Sequence, residues 1–230
     1  MSKIEMVVVH SEPLNKYVQK VMLRPSSPLD FQAGQYVALS VASDDCRYYS
    51  IASPDMQPGL IELHIDATST SKNGLEKLLE FKRARLIKLG GEAILRKDSN
   101  APLLLVAGGV GFSYIRSILL SSLARSPNRE VHVYWIAKDE NFFYSVEELK
   151  NLTDRYHNFK LTTVVKAEKS QSGINLLVHK IQDEYKTLAH MDVYISGRFD
   201  LSLMLRERLV SMLDATPQNI FSDAFARLRN

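Results

Sequence analysis

The 230-residue sequence is poor in the residues that build covalent or metal cross-links, for Cys46 is its single cysteine. An intrachain disulfide, a four-thiolate iron-sulfur cluster and a zinc site made mainly of cysteine are therefore excluded, and the lone thiol suits a reducing compartment. Its six histidines never fall in an H-x-x-x-H or H-E-x-x-H spacing, so no helix offers two imidazoles to a metal, and no metal site is expected. No apolar run approaches the roughly 20 residues needed to cross a bilayer. With Lys3, Glu5 and Glu12 set around the first short apolar run, the reading is a soluble, cytoplasmic chain without a membrane partner. Charge of one sign is also scarce: 29 Lys and Arg against 26 Asp and Glu leave +3, too little and too dispersed to predict a nucleic-acid partner. Only 10 glycines and 8 prolines, with 45% hydrophobic residues, exclude disordered and collagenous chains.

What is present divides in two. Up to about residue 66, short β-branched and aromatic runs at 4–10, 17–24, 36–41, 47–52 and 61–66 are separated by Pro25, Pro28, Gly34, Asp44, Asp45, Pro54 and Gly59. This spacing predicts an antiparallel barrel or sandwich. A short helix at 75–81 and strands at 86–89 and 93–96 complete that half. The polar stretch at 97–100 marks the expected boundary between domains 1–98 and 99–230, because beyond it the period changes from 2 to 3.6. Strands at 102–107, 131–136, 161–165 and 193–196 then alternate with helices carrying Ile115, Ile118, Leu119 and Leu123; Val146, Leu149, Leu152 and Tyr156; Leu177, Val178, Ile181 and Tyr185; and Leu201, Met204, Leu205 and Leu209. Ser145 and Glu148 have the spacing of a capping box. An alternating series of this kind predicts a parallel sheet with helices on both faces, so the fold class is an all-β barrel followed by an α/β domain.

Two segments could carry chemistry. Ala107-Gly108-Gly109-Val110-Gly111-Phe112-Ser113-Tyr114 lies between a buried strand and an amphipathic helix. Glycines permit close backbone approach, and the helix start offers unpaired N–H groups to an anion, which makes the segment a phosphate-loop candidate. It lacks the third glycine of G-x-G-x-x-G and the Lys of a P-loop, so a tight strand-to-helix turn is the alternative. Arg47-Tyr48-Tyr49-Ser50 is the second: an aromatic face, a hydroxyl and a guanidinium can cradle a planar, hydrogen-bonding ring, or simply edge a sheet. Alternation sets Tyr48 and Ser50 on one face, Arg47 and Tyr49 on the other.

Taken in order, a barrel bearing R-x-Y-S and then a nucleotide domain opening with G-G-x-G resembles the ferredoxin-NADP reductase superfamily. Within it the chain is most similar to the bacterial NAD(P)H:flavin oxidoreductases, including those serving luminescent bacteria. The likeness spans nearly the whole chain, through Ala33-Gly34-Gln35-Tyr36, Ile61-Glu62-Leu63-His64-Ile65, LLLVAGGVGFSYIRSILL at 103–120, ARSPN at 124–128, Tyr134-Trp135, Tyr194-Ile195-Ser196-Gly197-Arg198-Phe199 and Phe221-Ser222-Asp223-Ala224-Phe225.

This resemblance implies a flavin (riboflavin, FMN or FAD, bound or as substrate) against Arg47, Tyr48, Tyr49 and Ser50, with His64 and Ile65 beside it and Phe225 closing the site. It implies NADH or NADPH on the second domain: Gly108, Gly109, Val110, Gly111, Phe112 and Ser113 at the pyrophosphate, Trp135, Ala137 and Lys138 near adenosine, and Gly197, Arg198 and Phe199 by the nicotinamide ribose. Ser196 stands where many members have cysteine, and Val110 where threonine is commoner. The 89–96 segment lacks the Pro, His and Trp of the family's P-H-G-x-A-W-L-R, and 68–74 is rich in hydroxyls that could hold a flavin phosphate. The implied reaction is hydride transfer from nicotinamide C4 to flavin N5, with Ser50 bonded to N5, the reduced flavin then serving an oxygenase, a luciferase or ferric iron. The alternatives are a reductase that keeps FAD and docks a protein acceptor, and a sensor of flavin or nucleotide without turnover.

Overall fold

The computed structural model describes residues 4–41, 46–68, 72–165 and 170–228. Its first half contains β1 (Glu5–Pro13), β2 (Val18–Pro25), β3 (Tyr36–Ser40), β4 (Cys46–Ser50), β5 (Ile61–Asp66), α1 (Lys72–Phe81) and β6 (Arg83–Gly90). These strands form an antiparallel sheet in the order β4-β3-β6-β1-β2-β5. An antiparallel bridge from Ile51 to Leu63, with the Ala52 N–H donating to the Glu62 carbonyl at 2.8 Å, joins the two outer strands and closes the barrel. Period-two alternation sends Met6, Val21, Leu23, Val37, Leu39, Ile61, Leu63 and Ile65 into its core. Helix α1 adds Leu75 and Leu78 to that core and ends at Lys82, whose positive φ of 52° lets its N–H reach the Leu78 carbonyl at 3.0 Å.

The second half alternates: β7 (Leu103–Gly108), α2 (Phe112–Arg125), β8 (Val131–Ala137), α3 (Val146–Arg155), β9 (Phe159–Val165), α4 (Ser170–Glu184), β10 (Asp192–Ser196), α5 (Phe199–Leu213) and β11 (Ile220–Phe221). The strands are parallel in the order β11-β10-β7-β8-β9. Their near-continuous apolar runs follow from burial on both faces. One face packs Leu103, Leu105, Val133 and Trp135 with Ile115, Ile118 and Leu149, and the other packs Leu104, Val106, Tyr134 and Val193 with Leu177, Ile181, Leu205 and Leu209.

Three expectations differ. Residues 93–96 form no strand: Gly91, at φ 108°, turns the chain away from β6, the Leu95 N–H donates to Ala33, and the Arg96 N–H donates to the Tyr194 hydroxyl. Helix α3 begins at Val146 as its apolar period predicts, but Ser145 is left-handed and its side chain caps nothing. Glu148 bonds Arg116 instead of turning back to Ser145. Two-residue β11 was too short to leave a periodic signal. Of the hydroxyl-rich stretch, Ser69, Thr70 and Ser71 lie outside the described residues, as do Asp44 and Asp45 of the expected turn.

Candidate active site

Strand β7 is flanked by β8 on one side and β10 on the other, so the connections leaving their carboxyl ends diverge and open a crevice there. The barrel closes this crevice from the far side. The result is a cleft of about 590 Å³, a volume ordinary for small-molecule sites. Its barrel wall is Tyr48, Tyr49 and Ser50 of β4 with His64, Ile65 and Asp66 of β5. Opposite stand Gly108, Gly109, Val110, Gly111 and Ser113 from the end of β7 onward, Ala137, Lys138 and Phe142 from the end of β8, and Ser196, Gly197, Arg198, Asp200 and Leu201 from the end of β10.

The glycine turn is shaped for close approach. Gly109 is left-handed at φ 55°, and a β-carbon built on it meets no atom within 4 Å, so the turn's backbone is open toward the cleft. Gly111 has the opposite reason for its identity: a β-carbon there would stand 2.7 Å from the Ser196 carbonyl group, so its absence lets β7 and β10 converge. A single 3-10 turn at Gly109–Gly111 leads into α2, and the Phe112 N–H is bonded within it to the Gly109 carbonyl, so an anion seated on the turn would meet the positive end of α2 rather than that first N–H.

On β5, alternation puts Glu62 and His64 on one face, and the second half buries both. Burial pushes the Glu62 carboxyl up, but the hydrogen bond from His64 and the Arg116 charge outweigh it and hold it at about 2. Burial lowers His64, against the pull of Glu62, which favours the neutral ring, and the Glu62 carboxylate beside Nε2 can only accept. Its Nε2–H therefore donates to Glu62 Oε1 at 2.8 Å, leaving Nδ1 to accept from the Tyr144 hydroxyl at 3.3 Å. At the other end of the cleft Tyr17 stacks on Phe142 with centroids 3.9 Å apart, and the Lys138 ammonium lies 4.3 Å from the Phe142 centroid.

Comparison with known proteins shows the family and the fold. The oxidoreductase NAD-binding domain family matches residues 105–207. The NAD(P)H-flavin reductase of Vibrio harveyi is 33% identical over 97% of this chain and 98% of its own length. That of Aliivibrio fischeri is 33% identical over 94% of this chain and 95% of its own. The chain belongs to the NAD(P)H-flavin reductase family. Its fold is that of the ferredoxin-NADP reductase superfamily: the ferredoxin-NADP+ reductase of Plasmodium falciparum superposes with a TM-score of 0.78 at 17% identity, over 94% of this chain and 93% of that one. The ferredoxin reductase in carbazole 1,9a-dioxygenase gives a TM-score of 0.80 at 21% identity, over 97% and 69%.

Not every residue singled out in this flavin reductase stands at the cleft. Phe112 and Trp135 are fully buried and stacked on each other at 4.0 Å, behind the glycine turn and not on the wall; the Trp135 indole donates to the Gly109 carbonyl. Their large apolar rings belong to the core between β8 and α2. Phe225 packs on the α5 side, with the Arg206 guanidinium 5.5 Å from its ring, and is not among the described residues that line the cleft. Arg47 lies on the Tyr49 face of β4 as alternation predicts, and both side chains press against Gly74 of α1. Phe199, 38% exposed, opens α5 beside Arg198, which pairs with Asp200 at 2.6 Å. Sequence reasoning missed Glu62, Arg116, Tyr144 and Glu148 as a connected set, because they come from four separate segments. The one local signal was Glu62 two residues from His64 on a strand. Among the described residues no helix is long and apolar enough to cross a membrane.

Proposed function

We propose that this cleft is where a pyridine nucleotide hands a hydride to a flavin. The chain is an NAD(P)H-dependent flavin reductase, an enzyme using a pyridine nucleotide and a flavin, and the observation that carries its site is that Tyr48 to Ser50 and the Gly108 to Gly111 turn line the same cleft. In this reading the flavin ring lies on Tyr48, Tyr49, Ser50, His64 and Ile65, with the Arg47 charge behind it. The nucleotide pyrophosphate lies on Gly108, Gly109, Val110, Gly111 and Ser113, its adenosine end near Ala137 and Lys138, and its nicotinamide ribose near Gly197, Arg198 and Phe199. Phe112 and Trp135 support the turn from behind, and Phe225 has no cleft contact to assign. The fit rests on open space beside Gly109 at the start of α2, where a phosphate would approach, and on an aromatic and a hydroxyl where a planar heterocycle needs a face and a donor.

The two ligands supply the redox chemistry, nicotinamide C4 giving hydride to flavin N5, and the protein supplies position. Reacting atoms must come within roughly 3–3.5 Å, so the residues that stack and orient the rings govern the rate. Ser50 offers its hydroxyl to N5. Tyr48 is 65% exposed, which supports an open flavin site and hence a flavin that enters oxidised and leaves reduced, for a flavin-dependent oxygenase, a luciferase or ferric iron. Full-length relatives named flavin reductases favour neither an FAD-retaining reductase with a protein acceptor nor a sensor. We place the division into a flavin domain at 1–98 and a nucleotide domain at 99–230, supported by the end of β6 at Gly90 and the start of β7 at Leu103. A cytoplasmic setting suits the single thiol. The test is nucleotide oxidation by the purified protein with NADH and NADPH, each with riboflavin, FMN and FAD. Oxidation that depends on added flavin, from a colourless protein, is expected; a yellow protein that needs no added flavin would overturn the exchanging-substrate reading.

A further inference from the structure

Helix α2 starts at the glycine turn and runs along the barrel, and its side chains grip the chain that leaves the flavin strand. Arg116 is 11% exposed at its side chain, and its guanidinium forks among three segments. Nε and Nη2 donate to Glu148 of α3 at 2.9 and 2.6 Å, and Nη1 donates to the carbonyl of Ala52 at 2.9 Å while standing 3.3 Å from Glu62 of β5. The Ser117 hydroxyl donates to the carbonyl of Ser53 at 2.8 Å. Ser121 Oγ accepts the Asp55 N–H at 3.2 Å. Residues 52, 53 and 55 lie two to five positions beyond Ser50, so one helix is joined to both walls of the cleft: by its N-terminus to the turn, and by its flank to the chain beyond β4.

We propose that Arg116 and Ser117 are positioning residues that set the separation of the nicotinamide and flavin rings by tying the backbone beyond Ser50 to the helix that begins at the glycine turn. This rests on the reading that the two rings meet in this cleft. Neither residue is among the described residues that line it, so their removal deletes no wall contact and acts through where β4 stands relative to Gly109. Net stability does not account for a guanidinium in this place, because buried ion pairs are commonly no better than well-packed apolar residues of the same volume. A planar fork of five donors does something an apolar side chain cannot: it fixes the relative orientation of the groups it bridges.

The experiment compares Arg116→Lys and Ser117→Ala with the unaltered enzyme at saturating nucleotide and flavin. Lysine keeps the positive charge beside Glu62 and Glu148 but cannot span three acceptors. Rapid mixing of the enzyme with NADH and riboflavin, or with NADPH if that is the nucleotide it uses, gives the flavin-reduction rate. The long-wavelength charge-transfer absorbance of the stacked rings and the isotope effect with C4-deuterated nucleotide report ring separation directly. We expect the maximal rate to fall roughly tenfold or more in Arg116→Lys and roughly threefold in Ser117→Ala, with a weaker charge-transfer band and less than a twofold change in either KM. If both folded variants keep the wild-type rate and band, or lose only affinity, the proposal is overturned. Should Arg116→Lys fail to fold, Ser117→Ala decides alone, since it removes a single hydroxyl. Loss of the site reading is distinguishable: Ser50→Ala and Gly109→Ala would then leave flavin reduction by the enzyme unchanged, whereas failure of this proposal leaves them impaired and only the α2 variants normal.

Discussion

The Trp135 indole N–H donates to the carbonyl oxygen of Gly109 at 2.9 Å, so the one tryptophan of the sequence holds the left-handed residue of the glycine turn from behind. Trp135 also stacks on Phe112 and meets Tyr144 edge-on, with centroids 4.0 and 4.9 Å apart. Trp135→Phe keeps the apolar ring and deletes the donor. We expect it to lower the melting temperature, by about 1 kcal/mol of stability, and to raise the nucleotide KM roughly threefold while leaving the flavin KM alone. Steady-state kinetics with each substrate varied in turn is the check, and equal shifts in both constants would mean that the bond serves the core and not the turn.

Gly109 and Gly111 separate two reasons for glycine. Alanine at Gly109 finds open space and meets only the strain of a positive φ, about 1 kcal/mol, so the protein folds; its methyl group should obstruct a phosphate and raise the nucleotide KM roughly tenfold. Alanine at Gly111 collides with the Ser196 carbonyl group and Gly197 N, so it should destabilise by about 1–3 kcal/mol or more. Thermal melts paired with nucleotide titrations distinguish them, and a Gly109→Ala protein with unaltered affinity removes the turn from the site.

Ser50→Ala takes away the hydroxyl on the barrel wall without touching the nucleotide half. The maximal rate of flavin reduction should fall roughly tenfold, with nucleotide affinity little changed. A maximal rate equal to that of the unaltered enzyme would remove Ser50 from the mechanism.

Acid stability carries a mark of His132, far from the cleft on β8. Its ring stacks on Tyr134 and is hydrogen-bonded at Nδ1 to Tyr185 and at Nε2 to Thr162, and burial pushes its pKa from 6.5 down to about 4. Between those values the unfolded chain binds a proton that the folded chain does not. Stability is therefore complete above pH 6.5 and falls as the pH drops toward 4, by up to about 1.4 kcal/mol per unit for this group. His64, lowered in the same sense, adds to the slope. Glu62, held at about 2, contributes stability above its unfolded value of 4.5 that is lost as the pH falls toward 2. Urea unfolding at stepped pH should show a shallower decline between pH 6.5 and 4 for His132→Asn; an unchanged slope would assign the proton elsewhere.

By itself the sequence determined the order and kind of almost every element, because alternation in 4–66 and helical spacing after 100 are written in each segment's own residues. It also determined the glycine turn and the Tyr48 to Ser50 strand as the segments worth watching, and through their order the family. It could not determine which polar faces stay wet. Glu62 and His64 alternate with core residues like any solvent-facing pair, and only the docking of α2 and Tyr144 against β5 buries them. Glu148 carried the signature of a capping box until Arg116 offered it a charge-assisted fork. Phe112 lies next to the glycine turn in the chain and Trp135 beside it in space, yet both face the core. The physical reason is common to all of these: local pattern depends on a residue's neighbours along the chain, whereas desolvation and ion pairing depend on which distant surface arrives, and that is decided when the barrel and the parallel sheet close on each other.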